Sequence, residues 1–283
     1  MPQAVRVIPR LDIKGPNLVK GIHLEGLRVL GKPREFAKYY YEAGADEILY
    51  VDIVASLYER NSLDEIIQET VKEIFVPITV GGGIRTMADI KKILRLGADK
   101  VAINTAAIRR PSFISQAANA FGSSTIAIII EAIKQPDGRY FAFTDNGREA
   151  TGKEVVAWAE EAVAQGAGEI ILVSVDREGT GEGYDINLIK QVTTAMTVPV
   201  VADGGAKDNT DIAQAILQGG VQAVAMSSIL HYGYSSHFTQ ENDYNEGVID
   251  FIKQGKTNSK INPTTIRDIK AHLLKQGIVC RTA

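Results

Sequence analysis

The feature that most constrains this chain is an internal repeat. Asp12, near the end of the apolar run Val5–Ile13, is matched by Glu131, 119 positions further on. Asp52 in YVDIVAS is matched by Asp176 in VSVDREG, Gly82 in ITVGGGIR by Gly204 in VVADGGAK, and Asn104 in VAINTAA by Ser227 in VAMSSIL. Four landmarks recur in one order at spacings of 119 to 124 residues, so the chain reads as two similar halves. A shorter echo, beginning at Gly44, Gly97, Gly166 and Gly219, occurs twice within each half.

Short apolar runs alternate with amphipathic stretches throughout. Strands are expected at Val5–Ile13, Glu47–Val54, Val76–Val80, Lys100–Ile103, Thr125–Ile130, Glu169–Val175, Val198–Ala202 and Ala223–Ser227. Several are apolar on both faces, as in Ile126 to Ile130, which suits parallel strands covered by helices. Between them lie helical patterns such as Pro33–Ala43, Leu63–Ile74 and Gly152–Gln165. Eight β-then-α units predict a single (β/α)8 TIM barrel over residues 1–283, built from two half-barrels. At 283 residues with 45% hydrophobic and 23% charged side chains, the chain can fill one large core. After Ile229 the pattern breaks. Residues 232–263, rich in Tyr, Ser, Asn and His, read as an insertion on the C-terminal, catalytic face, with a helical piece near Val248–Lys253. Thr265–Gln276 is expected to be the last outer helix.

The charge pattern narrows the function classes. A formal net charge of −3 with interspersed signs argues against nucleic acid and membrane partners. No run of about 18 apolar residues could span a bilayer, and MPQAVRVIPR lacks a leader's apolar segment, so a cytoplasmic protein is expected. Cys280 is the only cysteine and the four histidines show no ligand spacing, so no metal or cofactor is expected.

Active sites of such barrels lie at the C-terminal ends of the strands. Asp12 and Glu131 end strands one and five and can serve as an acid/base pair if their environments separate their pKa values. Either can equally be a salt-bridge partner, to Lys20 or Arg10 for example. Gly82 and Gly83 follow strand three, and Gly204 and Gly205 follow strand seven, where glycine lets backbone N–H groups approach a phosphate. Asn104 and Thr105 complete the first cradle, and Ser227 and Ser228 the second. Two cradles imply a long ligand with a phosphate at each end. Asp176 either touches substrate or binds loop backbone. Arg6, Glu47, Lys100 and Glu169 stand at strand beginnings, so at the opposite mouth, where two positive and two negative side chains form an ion-pair ring or a gate over an axial passage.

PRLDIKGPNLVKG, YVDIVAS, VGGGIR, GADKVAINTAA, FAFTDNGREATG, GAGEIILVSVDREGTGEGYD and DGGA together resemble the cyclase subunit of imidazole glycerol phosphate synthase, over about Val5 to Leu230. The resemblance implies a glutaminase (glutamine amidotransferase) partner on the N-terminal mouth, and ammonia passing through the barrel to a substrate phosphorylated at both ends. It implies that Asp12 and Glu131 are the catalytic pair, that Lys20 is a substrate-side lysine, and that Arg6, Glu47, Lys100 and Glu169 form the gate. The sister sugar-phosphate isomerase of histidine synthesis fits less well, since FTDNGREATG is cyclase-like and Trp158 falls in a helical pattern.

The sequence also departs from that family. Glu131 stands where Asp is usual and Arg10 where Cys is usual, while Val173, Glu178, Asp203 and Met226 replace what are generally Thr, Asp, Ser and Ala. Asp203 beside a phosphate cradle is electrostatically awkward. These changes cluster on the catalytic face and resemble cyclase-like paralogues of surface-sugar clusters. The first expectation is therefore a subunit supplying ammonia for acetamidino modification of nonulosonic acid or lipopolysaccharide sugars, with an ATP-dependent sugar amidotransferase as a further partner. The alternatives are the histidine-pathway cyclase itself and a non-catalytic ammonia conduit.

Overall fold

The strand and helix alternation closes on itself. The computed structural model describes residues 4–55, 63–235 and 259–282. Its strands are β1 (Arg6–Lys14), β2 (Asn17–Ile22), β3 (Glu25–Gly31), β4 (Ile48–Asp52), β5 (Ile78–Gly81), β6 (Lys100–Ile103), β7 (Ile126–Lys134), β8 (Tyr140–Thr144), β9 (Glu149–Glu154), β10 (Glu169–Ser174), β11 (Val200–Asp203) and β12 (Ala223–Met226). The helices are α1 (Pro33–Glu42), α2 (Asp64–Thr70), α3 (Met87–Arg95), α4 (Thr105–Arg109), α5 (Ser112–Phe121), α6 (Val155–Ala164), α7 (Ile186–Ala195), α8 (Asn209–Leu217), α9 (Ser228–Ser235) and α10 (Ile266–Lys275). Strands β1, β4, β5, β6, β7, β10, β11 and β12 pair in that order, all parallel, and β12 returns to β1. This is the expected closed (β/α)8 barrel.

Side-chain alternation divides each barrel strand between two cores. On β1, Val7, Leu11 and Ile13 pack outward against the helices, while Ile8 joins a smaller cluster inside the barrel with Leu49, Ala102, Ile129, Ile171 and Val201. Burying each large aliphatic side chain contributes about 1.5–3 kcal/mol. On β1 the inward parity also selects Arg6, Arg10 and Asp12, so the same period that fills the barrel places charge at both of its ends. The outer helices are held at their starts by side-chain caps at Thr86, Asp185, Asp208 and Thr265. Helix α2 is shorter than the periodicity suggests. It stops at Thr70, whose hydroxyl bonds Tyr50 at 2.9 Å, and the Ile74 amide turns back to the Thr70 carbonyl.

Two hairpins were not anticipated. Strands β2 and β3 extend β1, and β8 and β9 extend β7, in both cases antiparallel. Both turns place two successive non-glycine residues at positive φ: His23 and Leu24 at 52° and 61°, Asp145 and Asn146 at 55° and 61°. The internal repeat therefore extends to these hairpins. Helix α9 packs on α1 through Tyr40, whose hydroxyl lies 2.6 Å from the Nδ1 of fully buried His231. Burial, assisted by the nearby Lys20 charge, lowers the His231 pKa to about 3. The helical piece expected near Val248–Lys253, and most of the 232–263 segment, lie outside the described residues. Among the described residues no helix is long and apolar enough to cross a membrane.

Candidate functional site

At the N-terminal mouth the four strand-start residues meet. Arg6 Nη1 lies 2.7 Å from Glu47 Oε2, and its other arm bonds Glu169. Lys100 Nζ closes the ring at 3.0 Å from Glu47 and 2.9 Å from Glu169. Burial disfavours the Arg6 charge, but Glu169 and Glu47 outweigh it and raise its pKa.

At the C-terminal mouth a second network forms, and most of it was not foreseen. Arg10 reaches past β12, with Nε 2.8 Å from Asp12 Oδ1 on its own strand and Nη1 2.5 Å from Asp203 Oδ2 on β11. Strand β2 pairs Val19 with Asp12, which brings the adjacent Lys20 to 3.9 Å from Asp12 Oδ2 and into a hydrogen bond with Glu178. All five residues are buried. Burial opposes the charge on Arg10 and Lys20. For Arg10 the carboxylates Asp12, Asp203 and Glu178 outweigh it, and for Lys20 Glu178 and Asp12 do, so both pKa values rise. Asp203 is pushed up by burial, against the pull of Arg10. The awkward charge of Asp203 is thus taken up by Arg10, so two separate departures of the sequence form one ion pair. Asp12 is a salt-bridge partner of both Arg10 and Lys20, as one reading of the sequence allowed.

Glu131 sits in different surroundings. Its Oε2 accepts the Gly147 amide at 2.8 Å, and burial pushes its pKa up to about 7 despite that bond and the Arg10 charge. One acid of the pair is paired with cations, while the other lacks a direct cation partner and, with a pKa of about 7, is about half protonated at pH 7.

The two cradles share a backbone but not a shape. Gly82 and Gly204 both adopt φ +94°, and a Cβ there would lie 2.2 Å from the Asp52 carbonyl or 2.7 Å from that of Ser174. Only glycine fits. Gly82, Gly83, Asn104, Thr105 and Glu131 line an open cavity of about 550 Å3. Its walls include Arg85, Arg109, Arg110 and Arg148, which the sequence reading did not single out. The adjacent Arg109 and Arg110, just past the fourth barrel strand, were the available signal. Gly204, Gly205, Ser227 and Ser228 instead surround a space of about 10 Å3, shared with Glu178, Asp203 and Ile261. Asp176 lines neither space. It is exposed and its Oδ2 accepts the Lys134 amide at 2.7 Å, which favours the loop-binding reading. Among the described residues no cluster of His, Cys, Asp or Glu is arranged to hold a metal.

Fold and mouth define the class: a half-barrel-repeat (β/α)8 protein with two carboxylates in unlike surroundings, one of which, Glu131, lines an open, arginine-walled cavity. The chain belongs to the histidine biosynthesis protein family, whose model matches residues 6–236. It is 57% identical over 201 residues to the imidazole glycerol phosphate synthase subunit HisF of Legionella pneumophila, covering 71% of this chain and 95% of that one. It is 45% identical over 233 residues to the HisF of Streptomyces griseus, covering 82% and 92%. To that of Alkaliphilus metalliredigens it is 43% identical over 227 residues, covering 80% and 90%. The chain is accordingly an enzyme of the imidazole glycerol phosphate synthase type. These relatives favour the cyclase over the surface-sugar paralogue, for which they give no support.

Proposed function

We propose that this chain is the ammonia-using cyclase subunit of an imidazole glycerol phosphate synthase serving histidine biosynthesis. In this reading a glutaminase docks on the N-terminal mouth, ammonia passes the Arg6, Glu47, Lys100 and Glu169 ring, and the chemistry takes place beneath the opposite mouth. The reading places the complex in the cytoplasm. The observation that carries it is the asymmetry of the carboxylates. Asp12, held by Arg10 at 2.8 Å, suits the base, and Glu131, with a pKa of about 7, suits the acid that protonates a leaving group. The first cavity, with Gly82, Gly83, Asn104 and Thr105, holds a phosphate of the substrate.

The test uses purified chain, ammonium salt and the bis-phosphorylated ribulosyl aminoimidazole-carboxamide nucleotide. Turnover to imidazole glycerol phosphate and the carboxamide ribotide is expected, and Glu131→Gln should slow it by roughly a hundred- to ten-thousandfold. Absence of turnover at saturating ammonia sinks the proposal.

One observation favours a second reading. The second cradle has little room, about 10 Å3. In that reading the barrel conducts ammonia and scaffolds a complex in which a separate ATP-using amidotransferase modifies the acceptor. The same assay separates the two, because a conduit supports glutamine-dependent ammonia release without cyclisation.

A further inference from the structure

Each acid at the C-terminal mouth is served by the hairpin that extends its own strand. Past Asp12, β2 brings Lys20 to 3.9 Å from the carboxylate. Past Glu131, the turn between β8 and β9 brings the Gly147 amide to 2.8 Å. Both turns need outside support. His23 and Leu24 in one, and Asp145 and Asn146 in the other, hold positive φ, which side chains other than glycine's adopt only where their surroundings impose it.

The imposing contact is of one kind in both halves, and each reaches towards the other acid. Asn146 Nδ2 donates to the Ile53 carbonyl at 2.6 Å, just past β4. The Ile53 amide in turn donates at 3.2 Å to the carbonyl of Ile13, the residue after Asp12. In the other half His23 Nδ1 donates to the Val175 carbonyl at 2.9 Å, just past β10. The Val175 amide donates at 3.0 Å to the carbonyl of Ala132, the residue after Glu131. Asn146 follows His23 by 123 positions, and Val175 follows Ile53 by 122, so both contacts obey the repeat. The side chains differ, but the donor and its target carbonyl are shared. The hairpins are strapped reciprocally: the turn that serves one acid is tied to the strand end that carries the other.

We propose that Asn146 is a positioning residue of this site: its bond to the Ile53 carbonyl keeps the Gly147 amide on the Glu131 carboxylate and ties the geometry of Glu131 to the strand end of Asp12. The strap has an electrostatic consequence. Burial raises the Glu131 pKa, and the Gly147 amide opposes that rise most strongly, ahead of the Arg10 charge from β1 and the Asn104 side chain past β6. Asp145, in the turn itself, adds to the rise. Asp52, Glu149 and the four arginines of the cavity wall face the same space. Releasing the turn withdraws the amide one peptide bond away from Asn146, so Glu131 holds its proton more tightly and becomes a weaker acid. The effect on turnover rests on the proposed role of Glu131 as the acid, whereas the strap does not.

The test reads the Glu131 carboxyl directly, by 13C NMR titration of the full chain labelled at its glutamate carboxyls, with Glu131→Gln to assign the signal. Wild type is compared with Asn146→Ala and Asn146→Gly. Glycine adopts positive φ freely, so Asn146→Gly removes the side-chain bond without straining the turn. Glu131 should titrate about one pH unit higher in both variants than in wild type. The alkaline limb of ammonium-driven kcat should move up with it, with kcat below that limb falling about threefold or more and KM staying within about threefold. A Glu131 titration unchanged or lowered in Asn146→Gly assigns the turn to its backbone alone, which overturns the inference and leaves the proposed function standing. A wild-type carboxyl that titrates near the ordinary 4.5 removes the weak acid and overturns both. A carboxyl that shifts in both variants while the turnover profile stays fixed supports the strap and overturns the acid role of Glu131.

Discussion

The barrel carries a charge network at each end, and the two networks share one face of one strand. Arg6 and Arg10 both point inward from β1. At the N-terminal end Arg6 and Lys100 each bridge Glu47 and Glu169, and the two cationic side chains are 25% and 19% exposed. At the C-terminal end Arg10, Asp12, Lys20, Glu178 and Asp203 are no more than 4% exposed. When one cation of the outer ring is removed the other still reaches both carboxylates, although Glu47 and Glu169 are themselves buried. The buried chain has no such substitute, because each partner removed leaves a charge in low dielectric. Partly exposed cations therefore sit at the N-terminal mouth, and fully buried ones at the C-terminal mouth.

Stability measurements can break that comparison. Asp203→Ala leaves the Arg10 guanidinium without one of its two carboxylates and should cost about 3–5 kcal/mol. Arg6→Ala should cost less, about 1.5–3 kcal/mol, since Lys100 still spans the buried Glu47 and Glu169. Urea unfolding with unchanged slope gives both numbers. Equal costs would mean that burial does not distinguish the two ends.

A smaller effect sharpens the comparison through pH. The Glu131 carboxyl has a pKa of about 7 when folded, against an ordinary 4.5. Because the folded value is raised, this contribution to stability is complete below pH 4.5 and is lost as pH rises through 7. The shift corresponds to at most about 3 kcal/mol. His231 acts with the opposite sign. Its folded pKa of about 3 lies below the ordinary 6.5, so its contribution is present above pH 6.5 and lost as pH falls towards 3. Comparing wild type with Glu131→Gln at each pH isolates the first effect. The variant should lack the decline between pH 4.5 and 7, and a decline of equal size in both proteins would assign it elsewhere. As a catalytic acid, Glu131 should also make ammonia-driven turnover fall above pH 7.

Much of this was legible in the sequence, because a barrel strand declares itself by period and the repeat declares the barrel twice. The parity that makes Ile8 an interior residue also places Arg6, Arg10 and Asp12, so the ring at the N-terminal mouth could be read from strand starts alone. The hairpins could not. The alternation in β2 and β3 is broken by register shifts at Leu18/Val19 and Lys20/Ile22, and the turns hold the non-glycine residues His23, Leu24, Asp145 and Asn146 at positive φ. The pairing of Arg10 with Asp203 was hidden for another reason. The residues are 193 positions apart on strands separated by β12, and each looked like an isolated anomaly until the barrel closed. The narrow second cradle includes Ile261, which follows the stretch outside the described residues.

The smallest stability effect carries the most information about function. Lys100→Ala removes the cation that completes the ring and leaves Arg6 with both Glu47 and Glu169. Its ammonium is partly exposed while its partners are buried, and its loss should cost about 1.5 kcal/mol. If the ring only held the barrel together, glutamine-driven and ammonium-driven turnover would fall by the same factor. If it gates a passage from a glutaminase at that mouth, the two separate. Ammonium salt enters from the open C-terminal side and should support turnover within about twofold of wild type, while glutamine-driven turnover with the glutaminase bound should fall by about tenfold. The ratio of the two rates cancels any shared loss of folded protein, so a ratio unchanged from wild type assigns Lys100 to structure alone.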